Sequence, residues 1–444
     1  MSHMIITGDM NTGSIPTIQS TGTVVLPVAK HVSTHRLILV FSICFLSVFL
    51  GGTISMLMPG YLPAIVHGLA GNLSQQKQDG ISALINSLFI FGWMFGGVAW
   101  GIISDKTGRA RSLILSTACL GIFSIVTAVS SSWSLVVVSR FLSGFGIGGV
   151  MVIAVILVAE LWTGKSIAVI QGFISLAMPL GFFAAGAINN LIANWRSAFW
   201  IGILPVLLAI IAAFYLPESE KWKTGRILKR QKNNAGMSFL TLAYRNNLFT
   251  GSLIFGTMLI GVWAVFSWAP SWVQSISSSV NVQTQRGSIM MILAGAGIVG
   301  SFFSGWIVNS IGVRKTMLLC FAACFIMIFL SFKLNVDITR TTFIEIGILA
   351  FFFGVSQGAL AVFIPSLFPV NVCASATGFC FNAGRLFTAS VVFFIGSLVS
   401  WLGGYGNAVF IFSFVLLVGL IATFLSTGHA VSTEKRISNE LIPD

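Results

Sequence analysis

Twelve apolar runs, most of them near the length that a bilayer demands, follow one another along this chain. They fall at 37–66, 81–103, 112–130, 133–162, 165–193, 197–216, 248–275, 287–311, 316–333, 342–367, 372–401 and 404–427. About 20 apolar residues make one helical crossing. Lipid offers no water to backbone N–H and C=O groups, so each run must close its own hydrogen bonds as a helix. The expected fold is all-α: a polytopic membrane protein of twelve transmembrane helices. Composition agrees, with 8% charged residues in 444 against roughly 25% in a soluble domain.

The +13 formal charge would suit a nucleic-acid partner, but its placement argues otherwise. With the N-terminus in the cytoplasm, seventeen of the 24 Lys and Arg fall in inside segments. Only Lys77, Arg196, Arg286, Lys333 and Arg340 fall in outside loops. Positive loops stay inside during insertion. The charge is therefore a topology signal, both termini are expected in the cytoplasm, and nucleic-acid binding is not expected. Residues 1–34 lack the apolar stretch of a signal peptide and read as a disordered tail. The polar stretch 217–247 divides an N-terminal bundle at 35–216 from a C-terminal bundle at 248–427, with a second tail at 428–444. It reads equally as a surface helix or a solvated linker.

A charged knot interrupts the apolar runs at Gly101-Ile-Ile-Ser-Asp105-Lys106-Thr-Gly108-Arg109-Ala-Arg111. A weakened copy, Gly305-Trp-Ile-Val-Asn309-Ser-Ile-Gly312-Val-Arg314-Lys315, follows 204 positions later (305 − 101). A membrane chain with two similar halves points to an alternating-access carrier, two six-helix bundles related by a pseudo-twofold. Gly-x-x-x-Gly spacings at Gly92/Gly96, Gly144/Gly148 and Gly354/Gly358 let helices approach closely in lipid. The six cysteines show no metal-ligand spacing and read as small apolar fillers. With no Ser/His/Asp set, metal cluster or phosphate loop in view, neither an enzyme nor a bound cofactor is expected.

These features resemble the major facilitator superfamily over roughly residues 35–428, through a loop pattern Gly-x-x-x-Asp-(Arg/Lys)-x-Gly-Arg-(Arg/Lys) that Gly101, Asp105, Lys106, Gly108 and Arg109 match. Arg111 lies one place beyond the usual final base. The resemblance implies that this loop closes a cytoplasmic gate, that Asp105 caps a helix of the other half, and that Arg109 pairs with Glu160. Pro217-Glu218-Ser219 is similar to a sugar-porter motif. Residues 367–385, from Leu367-Phe368-Pro369 to Asn382-Ala383-Gly384-Arg385, look more like sialate, monocarboxylate and aromatic-acid porters. Ser366, Cys373 and Asn309 stand where those relatives carry Glu, Arg and Asp. Losing both signs together leaves no unpaired charge, and implies a weaker gate in the C-terminal half.

Ionisable residues at membrane depth are functional candidates by default. Arg140 and Arg385 are the clear ones, and cations without nearby acids suggest an anionic substrate. Each has a structural alternative: Arg140 as an anchor on backbone carbonyls, Arg385 as a packing residue. Gln171, Gln357 and Asn382 are polar candidates for the substrate or for interhelical glue. Trp263 and Trp268 could stack on a ring or belong to an interfacial belt. The resemblance implies proton symport, yet no midplane carboxylate is evident, and Glu345 and His67 are fallback carriers. The leading expectation is a monomeric secondary carrier of a small organic anion (monocarboxylate, sialate or aromatic acid), in a bacterial inner membrane. Sugar or polyol transport, drug efflux and a non-transporting sensor are the alternatives.

Overall fold

A computed structural model describes residues 34–71, 73–161, 167–218, 245–278, 281–368 and 373–426. The tails and most of 217–247 lie outside them. Twelve helical segments run α1 Thr34–Ala70, α2 Gln75–Thr107, α3 Arg109–Val129, α4 Trp133–Leu161, α5 Ile167–Leu191, α6 Trp195–Tyr215, α7 Arg245–Ile276, α8 Val282–Ile311, α9 Val313–Leu334, α10 Arg340–Phe363, α11 Cys373–Leu398 and α12 Tyr405–Leu425. Eleven are long and apolar enough to cross a bilayer, and α5 contributes the shorter apolar stretch Leu176–Leu191. Two of them change pitch. α6 passes through a 3-10 turn at Trp200–Gly202, and α9 ends in a π turn at Phe329–Leu334.

The first six helices form one bundle and the last six the other. Within the first, α2 lies on α4 with almost no side chain between them. A methyl group on Gly92 or Gly96 would overlap the carbonyls of Phe141 and Phe145, and one on Gly144 or Gly148 those of Phe89 and Trp93. This reciprocal contact is what small-residue spacing permits in lipid. Gly300 and Gly354 bring α8 and α10 equally close in the second bundle. The halves meet along α5–α8 and α2–α11, with a smaller contact between α1 and α7.

Several helices outrun the apolar runs that announced them. α2 begins at Gln75 rather than 81, and α8 at Val282 rather than 287. Asp79 and Gln283, in these added polar turns, bond to the opposite half. One expectation changes as a result: Arg286, read from the sequence as an outside-loop cation, sits inside α8 and is only 5% exposed.

The molecule thus has a knot end, where α2 turns into α3 and α8 into α9, and a far end opposite. Among the described residues, polar bonds between the halves gather at the far end. The Tyr405 hydroxyl donates to Asp79 Oδ1 at 2.8 Å and the Ser400 hydroxyl to Asp79 Oδ2 at 2.9 Å. Gln283 Nε2 donates to the carbonyls of Asn189 and Ile192 at 2.7 and 3.0 Å. Beside them Gly186 on α5 meets Gly287 on α8 so closely that a methyl group on either would strike the other's carbonyl or its neighbours. The far end is shut.

Candidate functional site

The two arginines at membrane depth are not equivalent. Arg140 on α4 is 1% exposed. Its Nη1 and Nη2 donate to the carbonyls of Ile54 and Ser55, each at 3.3 Å, and its guanidinium lies 4.0 Å from the Phe89 ring centre. These carbonyls belong to α1, beside Gly51 and Gly52. Thr53 and Ser55 turn their hydroxyls back to Phe49 O and Gly51 O. A guanidinium this buried and bonded to two backbone carbonyls ties α1 to α4, while its Nε has no partner among the described residues.

Arg385 on α11 is half-buried. Its one side-chain bond, Nη1 to Asn382 Oδ1, is long at 3.4 Å, and Asn382 Nδ2 is held by Gly378 O at 3.0 Å. The guanidinium lies 5.7 Å from the Trp93 ring centre. Trp93, on α2, meets Trp263 of α7 edge-on at 5.5 Å. Phe182 of α5 and Phe266 of α7 form a second ring pair between the halves, 5.6 Å apart. The interface at mid-depth therefore holds a weakly committed guanidinium, an amide and aromatic rings from both halves. Such a set can take a carboxylate through charge-assisted hydrogen bonds and an unsaturated body through ring contact. Trp93 escaped the sequence reading because a tryptophan inside a run of apolar residues carries no mark of its depth.

The remaining expected contacts are dispersed. Gln357 on α10 is half-buried and its Nε2 lacks a partner. Trp268 is 0% exposed and stacks on Tyr405, ring centres 5.6 Å apart, so it packs the far end. The side chain of Gln171 lies outside the described residues. Glu345 accepts from Asn335 Nδ2 at 2.7 Å near the start of α10. His67, in the last turn of α1, is exposed. Both are far-end residues, remote in depth from Arg385.

At the knot, Gly108 takes φ +114° to turn α2 into α3, a conformation that costs glycine little. Arg109 then reaches two carboxylates, Glu160 Oε1 at 3.1 Å from its Nε and Asp105 Oδ1 at 2.7 Å from its Nη1. The Asp105 side chain is 54% exposed, and its pairing with Arg109 joins the end of α2 to the start of α3 within the same half. Lys106 and Arg111 are exposed, Gly101 is half-buried with open space around it, and Asn309, in the second knot, is exposed. The side chain of Cys373 is outside the described residues. Glu218 was noticed in sequence only as part of a motif. Its Oε1 accepts from the backbone N–H of Arg109 at 2.7 Å and of Ala110 at 3.1 Å. An anion there meets the positive end of α3.

Comparison with known proteins agrees with this architecture. The chain is 27% identical over 322 residues to the probable 4-methylmuconolactone transporter of Cupriavidus pinatubonensis, covering 69% of this chain and 72% of that one. It is 24% identical to the cis,cis-muconate transport protein of Acinetobacter baylyi over 84% of this chain and 90% of that one. Among solved structures, the inward-open xylose transporter XylE of E. coli superposes with a TM-score of 0.72 at 17% identity, covering 88% of this chain and 96% of that one, and so shares the fold. A profile of the Major Facilitator Superfamily matches residues 40–386. The chain is a membrane transporter rather than an enzyme, and it belongs to the major facilitator superfamily.

Proposed function

We propose that this protein carries a small organic anion, an aromatic or unsaturated carboxylate, by alternating access between its two halves. The observation that carries the reading is the half-buried, weakly bonded guanidinium of Arg385 beside the Trp93–Trp263 pair at the interface of the halves. Arg140 is spent on backbone, so the substrate's charge falls to Arg385. Relatives named for muconolactone and muconate carry compact unsaturated acids, which suit this combination of cation and rings. The bias of basic residues toward the knot end favours a cytoplasmic knot and cytoplasmic termini, in a bacterial inner membrane. The bundles divide at 217–247, and the chain acts as a monomer. A proton relayed through Glu345 or His67 would act on the far gate, not on the substrate.

Counterflow in proteoliposomes tests this. Labelled cis,cis-muconate and benzoate should exchange, and labelled xylose should not. Arg385→Gln should lower anion exchange about tenfold or more, the loss expected for a charge-assisted bond of roughly 1.5–3 kcal/mol. Xylose exchange indifferent to Arg385→Gln would overturn the reading. Acceleration by an inward proton gradient would establish coupling.

A further inference from the structure

The far end holds a second buried cation that transport through Arg385 leaves unused. A cavity of about 790 Å³ lies there between the halves, lined by residues of α1, α2, α7 and α8 and of the corner joining α11 to α12. His67, Gln75, Gln274 and Ser400 on its walls are exposed, so solvent reaches it. Arg286 also lines it, and is 5% exposed. Its Nη2 donates to Gln283 Oε1 at 3.3 Å, while Nε and Nη1 have no partner among the described residues. Burying a charged donor without partners is costly. Both nitrogens are closed to solvent, so the guanidinium must turn toward the cavity for an anion there to complete its shell and remove that cost.

Several other polar groups of the cavity are already engaged, among them Gln78, Ser82 and Ser275. Asp79 keeps its negative charge on the same wall, with its two oxygens held by Gln75, Ser400 and Tyr405 at 2.8 to 2.9 Å. Tyr61 stands near Arg286, yet its hydroxyl hydrogen is directed to the carbonyls of Ile188 and Ile192. Arg286 is one residue before Gly287, where α8 seals against α5. The unpartnered donors therefore sit on the helix that must move when the far end opens.

We propose that this cavity docks a carboxylate on the outer face, held by Arg286 while the far end is shut. The proposal rests on the orientation given under the proposed function, with the knot in the cytoplasm. It adds to the mid-depth site a separate place where the anion waits before the gate.

Accessibility of a reporter thiol tests it without requiring transport. Gln274→Cys in the full chain, in right-side-out vesicles, is labelled from outside with an impermeant maleimide, and labelling of the unsubstituted chain is subtracted. Saturating external benzoate should slow the reaction at least about threefold by occupancy, and benzyl alcohol, its uncharged counterpart, should not. Arg286→Gln should abolish the protection and Arg286→Lys should keep part of it. Protection by benzyl alcohol or by chloride equal to that by benzoate would overturn the proposal, even if Arg286→Gln fails to fold. So would protection that survives Arg286→Gln. An Arg385→Gln background separates the two readings: loss of counterflow with protection retained supports both sites. Benzoate protection in a chain that exchanges only xylose would sink the anion-carrier reading and leave the dock standing.

Discussion

The two knots share a backbone and differ in chemistry. Gly108 and Gly312 both take positive φ, +114° and +88°, and each turns one helix into the next across the same end of the molecule. In the first knot, Arg109 is clamped between Asp105 and Glu160, and Glu218 from beyond α6 receives the first N–H groups of α3. In the second, the positions that correspond to Asp105 and Arg109 are Asn309 and Val313. The contact with the last helix of the bundle persists with its polarity reversed. Arg314 donates through Nε to Thr423 O at 3.2 Å and through Nη2 to Phe424 O, at the carbonyl end of α12. One half ties its third helix to its sixth by an acid on a positive helix end. The other does so by a base on a negative helix end. A duplicated fold thus keeps a contact between elements while the residues that make it change sign.

This contrast sets an order of effects. Arg109→Ala should be the most damaging, because it leaves Glu160 and Asp105 without their cation. Side-chain exposures of 12% for Arg109 and 18% for Glu160 place the pair nearer the buried class, and a loss of about 2–3 kcal/mol is expected. Thermal unfolding in detergent should show it, and removing Glu160 as well should cost less than the two single losses together. Glu218→Ala should follow at about 1–2 kcal/mol, the range for a lost helix cap. Glu218→Gln should recover only part of it, since the amide accepts without the charge. Arg314→Ala in the second knot should cost about 0.3–1 kcal/mol, and that cost should shrink in high salt. If Arg314→Ala proved as harmful as Arg109→Ala, the two knots would be equivalent and the contrast would fail.

How much of this was legible in the sequence differs from one end to the other. The twelve helices, the first knot and its partner Glu160 could be named because long apolar runs and a spaced set of charges are strong local signals. The far-end clasp could not. Asp79 and Arg286 each fall just before an apolar run, so hydropathy alone leaves Asp79 unmarked and puts Arg286 in a loop. Helices do not stop where apolarity stops when the next turn is covered by the opposite half. Between Arg140 and Arg385 the sequence left two roles open for each, because commitment to backbone carbonyls depends on which helix lies alongside. The fold brings Ile54 and Ser55 to Arg140 and leaves Arg385 with one long bond.

The meeting of Gly186 with Gly287 has a consequence for leakage. Where α5 and α8 cross, Gly186 and Gly287 lie almost backbone to backbone, with the uncharged side chains of Asn190 and Met291 packed beside them. Tightness at that crossing comes from shape, not attraction. Salt and acidity, which loosen ionic locks, should leave it watertight, whereas a single added methyl would prop it ajar and let solutes trickle through unbidden.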